Sequence, residues 1–108
     1  MAITIRVLDQ AYPTATVEMT LYTCATTSVV VSALMVCNNS VVPDTITVRI
    51  CVGGAANNNK QLLFSGTPVG PNGVINLTAG LTLANTDIIK VTSTNGTCAF
   101  QLFGQENS

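Results

Sequence analysis

The longest nearly unbroken apolar run of the chain covers residues 29–38, and its β-branched residues predict a strand. Side chains of a strand alternate between two faces. One set of alternate positions has no polar member, and we assign it to the core: Val29, Val31, Ala33, Met35 and Cys37. The other set is also mostly apolar, although a strand of an ordinary two-layer sandwich exposes one face to water. We therefore predict that Val30, Leu34 and Val36 contact another subunit.

Seven further runs of apolar and polar residues also predict strands. They cover residues 3–7, 17–22, 45–52, 61–65, 74–83, 88–94 and 97–105, and the fifth is interrupted at Ala79–Gly80. Turn residues separate the runs at short intervals, and no stretch shows a sustained helical period. The pattern predicts an all-β fold, an antiparallel β-sandwich of about eight strands with a jelly-roll-like arrangement.

The dipeptide Asn95-Gly96 separates the last two runs. A two-residue type I′ hairpin needs positive φ at both central residues, and Asn-Gly is the sequence that adopts it most readily. We therefore predict a β-hairpin that joins the last two strands directly.

Residues 1–20 allow two interpretations. They form an N-terminal arm, or they supply the first strands of a sandwich whose main part is a domain of residues 21–108. An arm strand has unpaired backbone groups and adds to the sheet edge of a neighbouring molecule. Ile3, Ile5 and Val7 alternate with polar residues and are further candidates for an oligomer interface.

The length and the charge narrow the classes of partner. A chain of 108 residues is about one domain, and no apolar stretch reaches the ~20 residues of a membrane span. Only nine side chains are charged and the net charge is −1, so the surface is poorly protected against self-association. Neither sign clusters, and we expect no nucleic-acid partner and no membrane partner.

The composition lacks several residue types that catalytic sites commonly use. Histidine is absent, which removes the usual general base and the commonest metal ligand. Asp9, Asp44 and Asp87 lie beside turn signals, where an aspartate usually caps the local backbone. The four cysteines are widely spaced, unlike zinc ligands, and no signal peptide is visible. We expect free thiols, no metal, no cofactor and no catalytic residue.

Several short motifs resemble those of small virion proteins of tailed bacteriophages. They lie at residues 21–23, 36–40, 47–49, 66–68, 81–87 and 100–106. The chain is most similar to the cement, or decoration, proteins of phage capsids, including those of cyanobacterial phages. This resemblance implies a non-enzymatic protein, synthesised in the host cytoplasm, that stabilises the outer surface of the phage head. It also implies a homotrimer, with the major capsid protein as the partner.

The motifs mark strands and turns, and similar β-modules occur in phage tails and fibres. A second hypothesis is therefore a tail or fibre attachment module that binds host glycans or other proteins. A third, an enzyme acting on carbohydrate, has little support because neither the composition nor the aromatic content suggests a sugar cleft.

Overall fold

The computed structural model describes residues 3–78 and 80–108. The described part is almost entirely β-structure, which confirms the predicted all-β sandwich. The strands are β1 (Ile3–Ala11), β2 (Met19–Thr23), β3 (Ser28–Asn38), β4 (Asp44–Cys51), β5 (Leu62–Val69), β6 (Val74–Leu77), β7 (Leu81–Ala84), β8 (Ile88–Ser93) and β9 (Cys98–Asn107). Two single-turn 3-10 helices, Val52–Gly54 and Asn59–Gln61, lie between β4 and β5.

The strands form two antiparallel sheets. The first sheet has the order β1-β9-β3-β6, with β7 also paired to β3, and the second has the order β2-β8-β4-β5. β6 pairs with the end of β3 and β7 with its beginning, so together they occupy one strand position. Counted in this way, each sheet has four positions, and the chain passes between the sheets in the order of a jelly roll. The apolar core lies between the sheets, with Phe100, Leu21, Leu34, Ile46 and Ile89 among its largest fully buried side chains.

The first strand of the chain belongs to this sandwich. β1 pairs with β9 of the same chain from Ile3 to Ala11, and Leu8 is buried in the core. β2 begins at Met19. Residues 3–11 and 19–20 are thus strand residues in this chain, and Met1 and Ala2 lie outside the described residues. An exchange of residues 1–20 between molecules stays a prediction.

The predicted division of β3 into two faces holds only for its first half. Val29 and Val31 are buried as expected, but beyond them the buried residues are Leu34 and Val36, and Cys37 is exposed. The cause is a β-bulge: Val31 lies opposite Gly104 and Ala33 opposite Phe103, which leaves Ser32 as an extra residue. A shift of one residue moves every later side chain to the other face. The assignment of Ala33, Met35 and Cys37 to the core was therefore wrong.

This bulge is one of a row of irregularities that crosses the first sheet. β1 has a register shift between Val7 and Asp9, opposite the same part of β9. On the other side of β3, the gap between Leu77 and Leu81 separates β6 from β7 at the same level. The interruption predicted at Ala79–Gly80 falls in this gap, and Ala79 itself lies outside the described residues.

The predicted hairpin at Asn95-Gly96 is wrong. β8 pairs with β2 and β4, whereas β9 pairs with β1 and β3, so the dipeptide joins two different sheets. Gly96 has a positive φ of 72°, but Asn95 does not. The Asn95 backbone N–H donates to the Asp44 carboxylate at 2.8 Å, and its side chain donates to the Pro43 carbonyl at 3.0 Å. These bonds to the start of β4 direct the chain from one sheet to the other.

Gly104 is required where the bulge brings β9 close to β3. A Cβ atom at this position would overlap the Val30 carbonyl oxygen and lie 3.0 Å from the Val31 Cα. We expect Gly104→Ala to lower the free energy of unfolding by about 2 kcal/mol or more, because backbone atoms would have to move. Urea unfolding followed by circular dichroism measures the change.

Gly70→Ala is the matched control for this substitution. A Cβ atom at Gly70 would meet no described atom within 4 Å, and Gly70 has no positive φ. Its stability should stay within about 0.5 kcal/mol of the unsubstituted protein. Equal effects of the two substitutions would contradict the close approach of β9 to β3.

Candidate interaction surface

The structure separates the six predicted interface residues into two groups. Leu34 and Val36 have no exposed surface and cannot contact another subunit. The other four are among the large apolar residues that solvent reaches: Ile3 is 60% exposed, Ile5 79%, Val7 44% and Val30 42%. Sequence reasoning misplaced the first two because it did not foresee the bulge at Ser32.

The four exposed residues lie on one surface, the outer face of the first sheet. Residues directly opposite each other on neighbouring strands have side chains on the same face. Ile5 of β1 and Val30 of β3 both lie opposite Gln105 of β9. They are therefore two strand spacings apart, roughly 10 Å.

A fifth apolar residue, Phe103, completes this surface. Phe103 lies between Val7 of β1 and Ala33 of β3 and is partly exposed. The alternation along β9 indicates its position: the buried residues are at 98, 100, 102 and 104, so residue 103 is on the opposite, outer face. We call Ile3, Ile5, Val7, Val30 and Phe103 the outer patch.

β1 is also an exposed edge of its sheet. In the described part of the chain it pairs only with β9, along nine residues. The other edges are less suited to pairing: β2 has five residues and a register shift, β5 contains Pro68, and β6 and β7 have four residues each. Short strands, proline and bulges are the usual means by which proteins protect sheet edges from association. β1 is longer than these strands and contains no proline, although it has a bulge at Leu8.

Arg6 does not leave a free charge on this edge. Its guanidinium donates to both carboxylate oxygens of Glu106, at 2.8 and 3.1 Å, and the Tyr22 hydroxyl donates to the same carboxylate at 2.6 Å. The Arg6 hydrogen bond, followed by that of Tyr22, holds the pKa of Glu106 below its usual value. Burial and the bond to Glu106 raise the pKa of Tyr22. The three side chains join β1 and β9 to β2 of the second sheet.

The most enzyme-like cluster of the fold surrounds Asp44. This carboxylate is 2% exposed, and it accepts hydrogen bonds from the backbone N–H groups of Thr45 and Asn95 at 2.7 and 2.8 Å. It also accepts from the Ser93 hydroxyl and, at 3.4 Å, from the Cys98 thiol. Burial raises the pKa of Asp44, but the hydrogen bonds outweigh it and lower the pKa to about 2. Burial and the neighbouring carboxylate raise the pKa of the Cys98 thiol to about 12.

This arrangement does not form a reactive site. A thiol with a raised pKa is a poor nucleophile. A carboxylate that accepts from five donors, the four above and the Thr97 hydroxyl at 3.1 Å, is a poor general base. The described residues contain no group of three or more histidine, cysteine, aspartate or glutamate side chains that could hold a metal ion. Cys24, Cys37, Cys51 and Cys98 are free. Among residues 3–78 and 80–108, no helix is long and apolar enough to cross a membrane.

Comparison with known proteins adds a likeness of fold. No protein-family model matches the chain, and no curated protein matches it. A chain of the solved structure "Capsid of Ralstonia phage GP4" superposes with a TM-score of 0.52 and 15% sequence identity. The superposition covers 99% of this chain and 85% of that chain. The two chains therefore share a fold along nearly the whole length of this protein.

The hydrogen bonds of Asp44 predict acid-sensitive stability. Because folding lowers its pKa from 3.8 to about 2, the stabilisation is complete above pH 3.8 and disappears as the pH falls towards 2. At pH 7, we expect Asp44→Asn to lower the free energy of unfolding by about 2 kcal/mol or more. Urea unfolding at pH 7 and near pH 2 measures this difference, which should shrink in acid.

Asp9→Asn is the control, because Asp9 is exposed and its carboxylate bonds only the neighbouring Gln10 N–H among the hydrogen bonds of the described residues. It should leave stability unchanged within about 0.5 kcal/mol. A loss on Asp44→Asn that is the same at both pH values would contradict the role of the ionised carboxylate.

Proposed function

We propose that this chain is a structural protein of a tailed-phage virion, a capsid cement or decoration protein that binds the outer surface of the head and stabilises the shell. The observation that supports this most is the fold shared with a chain of "Capsid of Ralstonia phage GP4" over 99% of this chain. The motifs that resemble cement proteins point the same way. The site of action would be the capsid surface, after synthesis in the host cytoplasm.

The outer patch and the edge of β1 are the surface that suits such contacts. Apolar side chains exposed on a flat sheet gain about 25 cal/mol for each Å² removed from water. Association of this chain removes few charged groups from water, because the whole chain has only nine charged side chains. We assign Ile3, Ile5, Val7 and Val30 to contacts with a neighbouring copy of the chain, in the homotrimer that the resemblance implies. We assign the rest of the outer face of the first sheet to contacts with the major capsid protein.

The proposed role is non-enzymatic. The chain has no histidine, its most enzyme-like carboxylate is saturated with donors, and the adjacent thiol has a raised pKa. The alternative is a tail or fibre module that binds host glycans or other proteins. The groove beside the 52–61 loop, about 380 Å³, has neither an aromatic ring nor a carboxylate in its lining of Ile50, Val52, Ala55, Asn58, Lys60 and Gln61. A second groove, about 270 Å³, has the exposed ring of Tyr12 in its lining, and in this alternative a sugar would bind there.

Quantitative mass spectrometry of purified virions, separated into heads and tails, tests the location. We expect the chain in the head fraction, at a copy number near that of the major capsid protein. Its presence in tails alone, or its absence from virions, would contradict the proposal. Rebinding of purified protein to heads stripped of it would show that the outer surface is the site.

Light scattering of the purified protein tests the assignment of the outer patch. We expect a trimer at micromolar concentration and a monomer for Ile5→Asp, because a buried, unpaired carboxylate at the contact costs several kcal/mol. The melting temperature of the Ile5→Asp monomer should be that of a folded domain, since Ile5 is 79% exposed. Val41→Asp, at an equally exposed position (77%) in the β3–β4 turn, is the control and should remain a trimer. A stable monomer of the unsubstituted protein would refute the assignment.

A further inference from the structure

The chain contains two Asn-Gly dipeptides, Asn72-Gly73 and Asn95-Gly96. Asparagine is one of the chemically labile residues of proteins, and it is most labile before glycine, where no side chain hinders attack of the glycine nitrogen on the asparagine amide. The attack closes a five-membered ring within the chain, so it needs no encounter with another molecule. Asn72 and Asn95 are both exposed, and exposure alone therefore does not distinguish them.

Hydrogen bonds engage both reacting groups at Asn95. Its Nδ2 donates to the Pro43 carbonyl at 3.0 Å, and the Gly96 backbone N–H donates to the Ser93 hydroxyl at 3.1 Å. The Gly96 backbone is also packed against Ala15, whose nitrogen would lie 2.7 Å from a Cβ atom added at residue 96. Ring closure at Asn95 has to break two hydrogen bonds at the point where the chain passes from one sheet to the other.

Asn72 is less restrained, although it also lies in a defined turn. The Gly73 N–H donates to the Gly70 carbonyl at 2.9 Å, and Asn72 has a positive φ of 50°. A β-turn with proline second and a positive φ third is of type II. The Asn72 side chain makes no hydrogen bond to any of the described residues, 3–78 and 80–108. Ring closure here has to break one hydrogen bond, that of the Gly73 N–H.

We propose that Asn72 is a site of spontaneous modification, at which asparagine becomes aspartate and isoaspartate, and that the fold protects Asn95 from the same reaction. The inference does not depend on the proposed virion role, because the reaction takes place within one chain and its only other reactant is water.

The reaction proceeds through a cyclic imide. Hydroxide takes the Gly73 N–H proton, the nitrogen attacks Cγ of Asn72, and the Cγ–Nδ2 bond breaks as water returns a proton to the leaving nitrogen. Water then opens the ring at Cγ, which gives aspartate, or at the Asn72 backbone carbonyl carbon, which gives isoaspartate. One water is consumed, one ammonia is released, and nothing is oxidised or reduced.

The products change the turn of residues 70–73 in two ways. Both add a negative charge to an exposed position, and aspartate tolerates a positive φ much as asparagine does. Isoaspartate also lengthens the main chain of the turn. Asn38 donates to the Gly73 carbonyl at 2.9 Å and to the Gly70 carbonyl at 3.1 Å, so a longer turn disturbs its attachment to the end of β3. An old molecule therefore differs from a new one in charge and in this attachment.

Peptide mass spectrometry of the full chain, after prolonged incubation at mildly alkaline pH, tests the proposal. Trypsin leaves Asn72 in peptide 61–90 and Asn95 in peptide 91–108. Incubation in water enriched in heavy oxygen labels each acid formed during that time, and fragmentation of the peptides locates the label. In the folded protein we expect the label to appear at Asn72 at least about tenfold faster than at Asn95, and in urea at similar rates, because unfolding removes the protection.

Asn72→Gly is the control variant, since glycine accepts the positive φ of the turn and cannot react. Circular dichroism should show that it is folded. Isoaspartyl methyltransferase, which methylates isoaspartate, should label the incubated unsubstituted protein far more than incubated Asn72→Gly.

Two results for the unsubstituted, folded protein would overturn the proposal. One is a reaction at Asn95 as fast as that at Asn72 or faster, because the hydrogen bonds of the fold would then give no protection. The other is the absence of label at Asn72 over a time in which the protein in urea reacts at both positions.

Discussion

The hydrogen bonds to the Asp44 carboxylate are the interaction on which the joining of the two sheets depends. Asp44 begins β4 in the second sheet, Ser93 ends β8 beside it, and Cys98 begins β9 in the first sheet. All three side chains are buried and meet at one end of the sandwich. Burial of an ionised carboxylate is costly unless donors replace its water, so the chain must bring these segments together in this arrangement.

A second polar residue extends the same network. Asn38, at the end of β3, donates from Nδ2 to the carbonyls of Val42, Val69 and Gly70 and accepts from the Thr97 hydroxyl at 2.8 Å. In residues 3–78 and 80–108, no buried side-chain nitrogen or oxygen lacks a hydrogen-bond partner. A fully satisfied network of this kind determines which turns meet at this end of the sandwich, whereas apolar packing alone would allow several.

The row of irregularities across the first sheet determines what its outer face presents. Before the bulge of β3, Val30 faces outward; after it, Leu34 and Val36 face the core, and Ala33, Met35 and Cys37 are on the outer side. Without the bulge, the apolar run of β3 would put Leu34 and Val36 outside. One extra residue in β3 therefore removes Leu34 and Val36 from the outer face.

The parts of the fold that depend on local alternation could be predicted from the sequence. β4 and β9 alternate strictly along most of their length. Ile3, Ile5, Val7 and Val30 are exposed, and their contact with another subunit stays a prediction. The bulge at Ser32 has no local signal, because serine fits a regular strand as well. The path at Asn95-Gly96 is determined by Asp44, 51 residues earlier in the chain, and turn propensity cannot report such a distant partner.

The central claim is that this jelly roll is a structural component of a phage head, in contact with the shell through the first sheet. An icosahedral cryo-electron microscopy reconstruction of the phage head that we propose as its location tests it most directly. We expect density for the nine-stranded sandwich outside the major capsid protein, with the edge of β1 and the outer patch covered by protein neighbours. A head surface without this density, or a bound sandwich whose outer patch faces solvent, would contradict it.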